Sequence, residues 1–322
     1  MNDEQRMLAD MASNLFASLG TSATIETSWS DISDLALDGL LLTEEQGGFG
    51  GSWEDALIVF RLAGYNALQL PVVEAVVAAS LAGRNDGRGT IASSANGTMD
   101  GDRFTGTIGG ICFGKGSSFI VAPYPTGGSM VIETAALALE DQTSVAGEAR
   151  EHATCENVPV TCIEADVFAI GALARVAQIA GAMDAALAKS VGYANDRQQF
   201  GRPLGKFQAV QQNLATFACE AAAANCAAMG AFQAMARGSA PFETAAAKLR
   251  ANRAIGIGTA LAHQVHGAIG FTIEYDLHPL TRRLWAWRSE FGSDAYWSGV
   301  LGAQVVARGA DNFWADITAL DG

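Results

Sequence analysis

The sequence predicts a mainly α protein with a small β domain set between two helical ones. Three observations predict it. Apolar residues recur at helical spacing from the N-terminus to about residue 85. Between about Gly87 and Glu164 that period gives way to short β-like runs separated by Gly, Asn, Asp and Pro. From Ala165 onward the helical period returns. The expected division is 1–86, 87–164 and 165–322.

The elements follow in order. Met7, Leu8, Met11, Leu15 and Leu19 mark a first amphipathic helix. Asp31 to Leu42 repeats the pattern. A Gly-rich turn comes next, Glu45-Gln46-Gly47-Gly48-Phe49-Gly50-Gly51, with Ser52 as the N-cap of a helix carrying Leu57, Phe60, Leu62 and Ala63. Thr90–Ala92, Phe104–Thr107, Phe119–Val121 and Ser129–Ile132 are the β-like runs. Helices are expected over roughly 166–196, 206–237, 241–269 and 292–313. The segment Gly109-Gly110-Ile111-Cys112-Phe113-Gly114-Lys115-Gly116-Ser117 imitates a phosphate-binding loop. Gly116 stands where such a loop needs Ser or Thr, and a strand follows instead of a helix, so it is a β-domain turn.

Composition excludes several functions. Thirty-four Asp and Glu against 20 Lys and Arg give a net charge of −14. That balance argues against nucleic acid and against an anionic membrane surface. Five cysteines, an odd number without a C-x-x-C pair, read as reduced cytosolic thiols. The start of the chain is acidic and lacks the apolar core of a signal peptide. The apolar stretch Ile170–Ala188 is interrupted by Arg175, Gln178 and Asp184, which suits a buried helix better than a membrane span. The expected location is therefore cytoplasmic. His263 and His266 sit three apart, but nothing is spaced to complete a metal site, so they are packing or surface residues.

Two polar signatures carry the function. The first is Asp196-Arg197-Gln198-Gln199-Phe200-Gly201-Arg202-Pro203-Leu204-Gly205-Lys206-Phe207-Gln208, which ends one helix and opens the next. The second is Gln264-Val265-His266-Gly267-Ala268-Ile269-Gly270-Phe271. An Arg at a helix C-terminus is commonly a cap. A guanidinium also suits a pyrophosphate, because its planar fork makes paired charge-assisted bonds. Gly201 allows a close turn, Phe200 offers an apolar face, and Gly267 lets backbone N–H groups approach an oxyanion. Together the signatures resemble the R-x-x-F-G and Q-x-x-G-G motifs in the C-terminal domain of acyl-CoA dehydrogenases, with Ala268 at the second Gly. The turn at residues 45–51 resembles that family's N-terminal E-x-G-G-x-G. The resemblance implies an acyl-CoA dehydrogenase fold: N-terminal helices, a middle β-barrel and a C-terminal four-helix bundle. It also implies that Arg197, Gln199, Phe200, Gln208, Gln264 and Gly267 contact the adenine and pyrophosphate half of an FAD held by a neighbouring subunit.

The resemblance stops where the chemistry should be. The family removes the α proton of an acyl-CoA thioester with a Glu, while hydride passes from the β carbon to the flavin. In one branch that Glu precedes a Gly downstream of the second signature, and the spacing here reaches Phe291, before Gly292. In the other branch it lies on the helix that ends at Arg197, and the spacing reaches Gly171. Neither residue takes a proton. Glu290, one residue away, is rotated by about 100° if the helix continues, and Arg288 and Arg283 are its expected partners in a surface or interface ion pair. The family's flavin-ring segment T-E-P-x-A-G-S-D has no counterpart between Leu70 and Phe104. Gly109-Gly110-Ile111-Cys112 stands near where its W-I-T/S-N strand should be. The pattern resembles the non-catalytic subunit of heteromeric acyl-CoA dehydrogenases of bacterial steroid side-chain degradation. Thr281-Arg282-Arg283-Leu284-Trp285-Ala286-Trp287-Arg288 and Tyr296-Trp297 add to that likeness. It implies FAD shared with a catalytic partner in an α2β2 assembly, with the acyl-CoA substrate at the partner's site. Two alternatives remain: an active homo-oligomeric enzyme using Glu290, and a flavin-free binding or scaffold protein.

Overall fold

The structure, a computed structural model, describes residues 1–20 and 23–318. Helices α1 (Asp3–Leu19), α2 (Ile25–Ser33), α3 (Trp53–Tyr65) and α4 (Val72–Ala82) open the chain. Their starts are written locally. Asn2 and Gln5 form a reciprocal capping box on α1, and Ser52 and Asp55 form another on α3. The expected helix over Asp31–Leu42 is displaced: α2 ends at Ser33 and turns follow, so only Asp31, Ile32 and Ser33 of that run are helical.

Seven strands follow: β1 (Gly89–Asp100), β2 (Arg103–Cys112), β3 (Phe119–Pro123), β4 (Ser129–Glu133), β5 (Leu139–Glu140), β6 (Arg150–Pro159) and β7 (Thr161–Ile163). They form one sheet in the order β5-β6-β2-β1-β3-β4-β7. β1 and β2 pair antiparallel from Ala92↔Ile111 to Asp100↔Arg103, whereas β1 and β3 run parallel. The four expected β runs all lie in strands. The long β6 was not expected. The sheet has its own small core of Phe104, Ile108, Ile111, Ile120, Met130 and Ile132. Four consecutive residues of β1, Gly89 to Ala92, are buried; the strand's outer half alternates between exposed and half-buried. Its inner end therefore packs on both faces.

The chain then returns to helices: α5 (Val167–Asp196), a two-strand ribbon of β8 (Gln198–Gln199) and β9 (Arg202–Pro203), α6 (Gln208–Ala236), α7 (Pro241–His266), α8 (His278–Ser289), α9 (Asp294–Arg308) and α10 (Phe313–Thr318). The periodicity missed α8. Two of the described helices, α5 and α6, are long and apolar enough to cross a membrane by length and composition. For α5, 83% of that stretch is buried inside the protein, which makes it the central core helix. α3 packs closely on it because a Cβ at Gly64 would collide with the Gln178 carbonyl, and one at Gly181 with the Arg61 carbonyl. The comparable stretch of α6 is only 28% buried. Ala, Cys and Met form much of its exposed face.

Candidate functional site

The first place of interest lies where α5 and α7 end side by side. Arg197 is the C-cap of α5, and its backbone N–H donates to the Tyr193 carbonyl at 2.9 Å. The β8–β9 ribbon turns through Phe200 and Gly201, both at positive φ (52° and 76°). The Leu204 N–H returns to the Arg197 carbonyl at 2.9 Å and closes the loop. α7 ends at Gly267, whose φ of 65° suits glycine. Between these ends lies an open groove of about 560 Å³, lined by Arg197, Gln199, Gln264 and Gly267, together with Tyr193, Asn213, His266 and their neighbours. A Cβ built at Gly267 would meet no atom within 4 Å. Among the described residues the Arg197 guanidinium has no recorded ion-pair or hydrogen-bond partner.

Four of the six expected cofactor contacts therefore share one groove. The other two lie outside its lining. Phe200 is 91% exposed at the ribbon tip, edge-on to Phe207 with ring centroids 6.1 Å apart. Gln208 is the exposed first residue of α6. His263 stacks on Phe271 at 4.1 Å and His266 is buried, as packing residues would be. No cluster of three metal-binding side chains occurs among the described residues.

The second place is where α5 faces the turn after α8. The two positions reached by the family's alternative spacings, Gly171 and Phe291, lie against each other. A Cβ on Gly171 would sit 2.5 Å from the Phe291 ring. That ring is 1% exposed and packs edge-on to Phe168 at 6.0 Å. Phe291 has φ of 52°, costly for a residue with a side chain. Its turn is tied down by the Trp297 Nε1–H, which donates to the Phe291 carbonyl at 3.0 Å. An aromatic ring thus fills the space into which a carboxylate at 171 would have to project, and it occupies position 291 itself.

Glu290 corrects a sequence expectation. It pairs with neither Arg288 nor Arg283, and it is not a surface residue. α8 stops at Ser289, and Glu290 takes extended backbone (ψ 135°), so the helical rotation does not apply. Its carboxylate, 14% exposed, accepts from Arg150 Nε at 2.9 Å and from Arg175 Nε at 2.8 Å. Arg288 pairs with Asp294, and Arg283 with Glu148, at 2.8 and 2.7 Å. Burial pushes the Glu290 carboxyl up, but the two guanidiniums outweigh it by charge and hydrogen bonds and hold it at about 2. A general base for neutral pH needs a value several units higher.

These contacts extend into a chain of alternating charge: Arg283, Glu148, Arg150, Glu290, Arg175, Glu74. It links α8, the start of β6, α5 and α4. Arg175 Nη2 also lies 3.5 Å from the Cys112 sulfur at the end of β2. Burial pushes the Cys112 thiol up to about 12, so it stays protonated. The sequence reading passed over Glu74, Arg150 and Arg175 as site residues. A signal existed: Glu74 and Arg175 are isolated charges in apolar helices, and such charges require partners.

Comparison with known proteins gives the family. The family profile "Acyl-CoA dehydrogenase, C-terminal domain" matches residues 163–305. FadE34 of Mycobacterium tuberculosis, named as an acyl-CoA dehydrogenase, is 30% identical over 290 residues, covering 83% of this chain. The chain belongs to the acyl-CoA dehydrogenase family. It spans only 40% of the length of FadE34. Among solved acyl-CoA dehydrogenase folds, a variant of the steroid enzyme Tcur3481–Tcur3483 superposes with a TM-score of 0.85 at 22% identity, over 96% of this chain and 99% of that one. The ChsE4–ChsE5 complex from Mycobacterium tuberculosis gives 0.79 at 20% identity, over 96% and 97%. These likenesses show the fold. The family depends on FAD. At the junction of α5, β2 and the 290–292 turn, Phe291 and the ion chain fill the interior, whereas the groove at Arg197 and Gln264 is open and its guanidinium is unpaired among the described residues.

Proposed function

We propose that this chain is the non-catalytic subunit of a heteromeric, FAD-dependent acyl-CoA dehydrogenase. It completes the adenine and pyrophosphate side of an FAD held mainly by a catalytic partner. The observation that carries the proposal is the contrast between the two places: an open groove at Arg197 and Gln264, and a base position filled by the Phe291 ring against Gly171. Two neighbours in fold support a partner of the same fold, since each is named as a pair of chains. FadE34 adds support, because more than half of it lies outside the match. The pairing is expected to be α2β2, with one FAD per pair.

When bound, FAD accepts the hydride from the β carbon of the acyl thioester. This chain's residues bind and orient. Arg197 offers a planar fork to the pyrophosphate, and the Gln264 and Gln199 amides offer donors beside it. The open space above Gly267 lets backbone N–H groups approach the same oxygens. The proton is taken by the partner's Glu. The acyl group is proposed to be a bulky steroid side chain, by likeness to a fold neighbour named as a steroid enzyme.

The test is FAD retention by the assembled complex. A charged hydrogen bond contributes roughly 1.5–3 kcal/mol, so Arg197→Ala should weaken retention by about tenfold to a hundredfold. Retention equal to wild type places the cofactor elsewhere and removes the proposal.

A further inference from the structure

α6 leaves the bundle with an uncovered outer face. Its exposed positions Ala215, Cys219, Ala222, Cys226, Met229 and Gln233 recur at alternating intervals of four and three residues. That spacing keeps them on one side of the helix and is the seam along which two helices pack. A surface helix ordinarily carries its charges on its outer face. In 29 residues α6 has one charged side chain, Glu220, and it is half-buried and paired with Arg250 of α7. The seam therefore carries no charge, in a chain whose net charge is −14. The surface area tells the same story. The chain exposes 14693 Å², whereas a compact monomer of 33.5 kDa exposes about 12,700 Å². A standard interface takes about 800 Å² from each partner. The excess leaves room for a second interface beside the one that shares the cofactor.

The chemistry of the face selects its occupant. A partner with a charged surface would bury those charges against a seam that offers them no counter-ion. An identical seam brings no charge. Ala and Cys side chains are short, so two such helices can approach with their axes about 8 Å apart. A two-fold axis then matches each contact with its mirror contact on the other copy. We propose that α6 packs against α6 of a second copy of this chain, across a two-fold axis that passes near Ala222. The inference rests on the proposed α2β2 assembly only in that the assembly holds two copies of the chain. It adds the surface that joins them.

The test is the mass of the full chain in solution, measured by sedimentation without any partner. The chain should be a dimer at micromolar concentration. Ala222→Glu sets two carboxylates against each other in the seam and should weaken the dimer by about a hundredfold or more. Position 222 is exposed and Glu is a good helix former, so circular dichroism should be unchanged. Maleimide labelling gives a second measurement. Cys226 should react slowly in the dimer and Cys162, exposed on β7, should react fast; Ala222→Glu should bring Cys226 up to the rate of Cys162. If the variant fails to fold, the unaltered chain decides: Cys226 should label faster on dilution, and Cys162 should not. A monomeric chain at high micromolar concentration overturns the proposal. So does a dimer that Ala222→Glu leaves intact, or one in which Cys226 labels as fast as Cys162. If Ala222→Glu releases the catalytic subunit instead of the second copy, the face belongs to that subunit and the proposal falls. Failure of the cofactor-sharing reading shows separately, as FAD retention unchanged by Arg197→Ala, and leaves the dimer measurement untouched.

Discussion

At the scale of the residue, Glu290 shows how position and surroundings can disagree. It stands next to a family base position, yet its two arginine partners make it an anion too weakly basic to take a proton at neutral pH. In the assembled complex, Glu290→Gln should leave turnover within a few-fold of wild type; removing a true general base typically costs about 10² to 10⁴. A thousandfold loss with FAD still bound would make this chain catalytic. The same substitution should show in stability. The folded carboxyl at about 2 lies below its usual 4.5, so its contribution is fully present above about 4.5 and is lost as pH falls toward 2. The shift corresponds to about 3 kcal/mol. Acid unfolding of Glu290→Gln should therefore lack the portion of slope between those values. An acid limb identical to wild type would mean that the ion pairs to Arg150 and Arg175 contribute nothing. None of this pairing was legible from the local sequence, which offered Arg288 and Arg283. The partners lie 140 and 115 positions away, and only the packing of sheet on helix brings them together.

At the scale of the element, the turn after α8 is held from α7. Lys248, fully buried, donates to Asn252 Oδ1 at 2.6 Å, to the Trp287 carbonyl at 3.0 Å and to the Gly292 carbonyl at 3.3 Å. It caps the end of α8 and fixes the segment that carries Phe291 in its unfavourable conformation. Lys248→Met has nearly the same length but strands those oxygens without a donor. It should cost about 3 kcal/mol, read as a lower urea midpoint at unchanged slope; a midpoint within error of wild type would show the clamp to be idle. Sequence legibility follows periodicity here. α5, α6 and α7 were readable because each runs for many turns rich in apolar residues without a break in pattern. α8 was not, because its Arg282, Arg283, Trp285, Trp287 and Arg288 blur that face: Arg283 is buried for its ion pair and Trp285 is half exposed. The start of β6 was hidden for the same reason, since Arg150 and Glu151 are buried and charged.

At the scale of the whole molecule, the order of helices, sheet and helices was legible, as were the two signatures that meet in the groove. The filled base position was legible only as an absence; that Gly171 and Phe291 touch needed the fold. A chain so filled should carry no flavin of its own. Purified without a partner, it should show no visible flavin absorbance. A yellow preparation with one FAD per chain would refute both the filled junction and the shared cofactor. The contact between Gly171 and Phe291 also limits what a single substitution can do. A Glu placed at 171 alone drives its side chain into a ring that Phe168 and the 291–292 turn hold in place. A Glu placed at 291 alone sets a second carboxylate beside Glu290, whose two arginines are already engaged. The first obstacle falls only if the ring at 291 goes as well; the second stands whatever occupies 171.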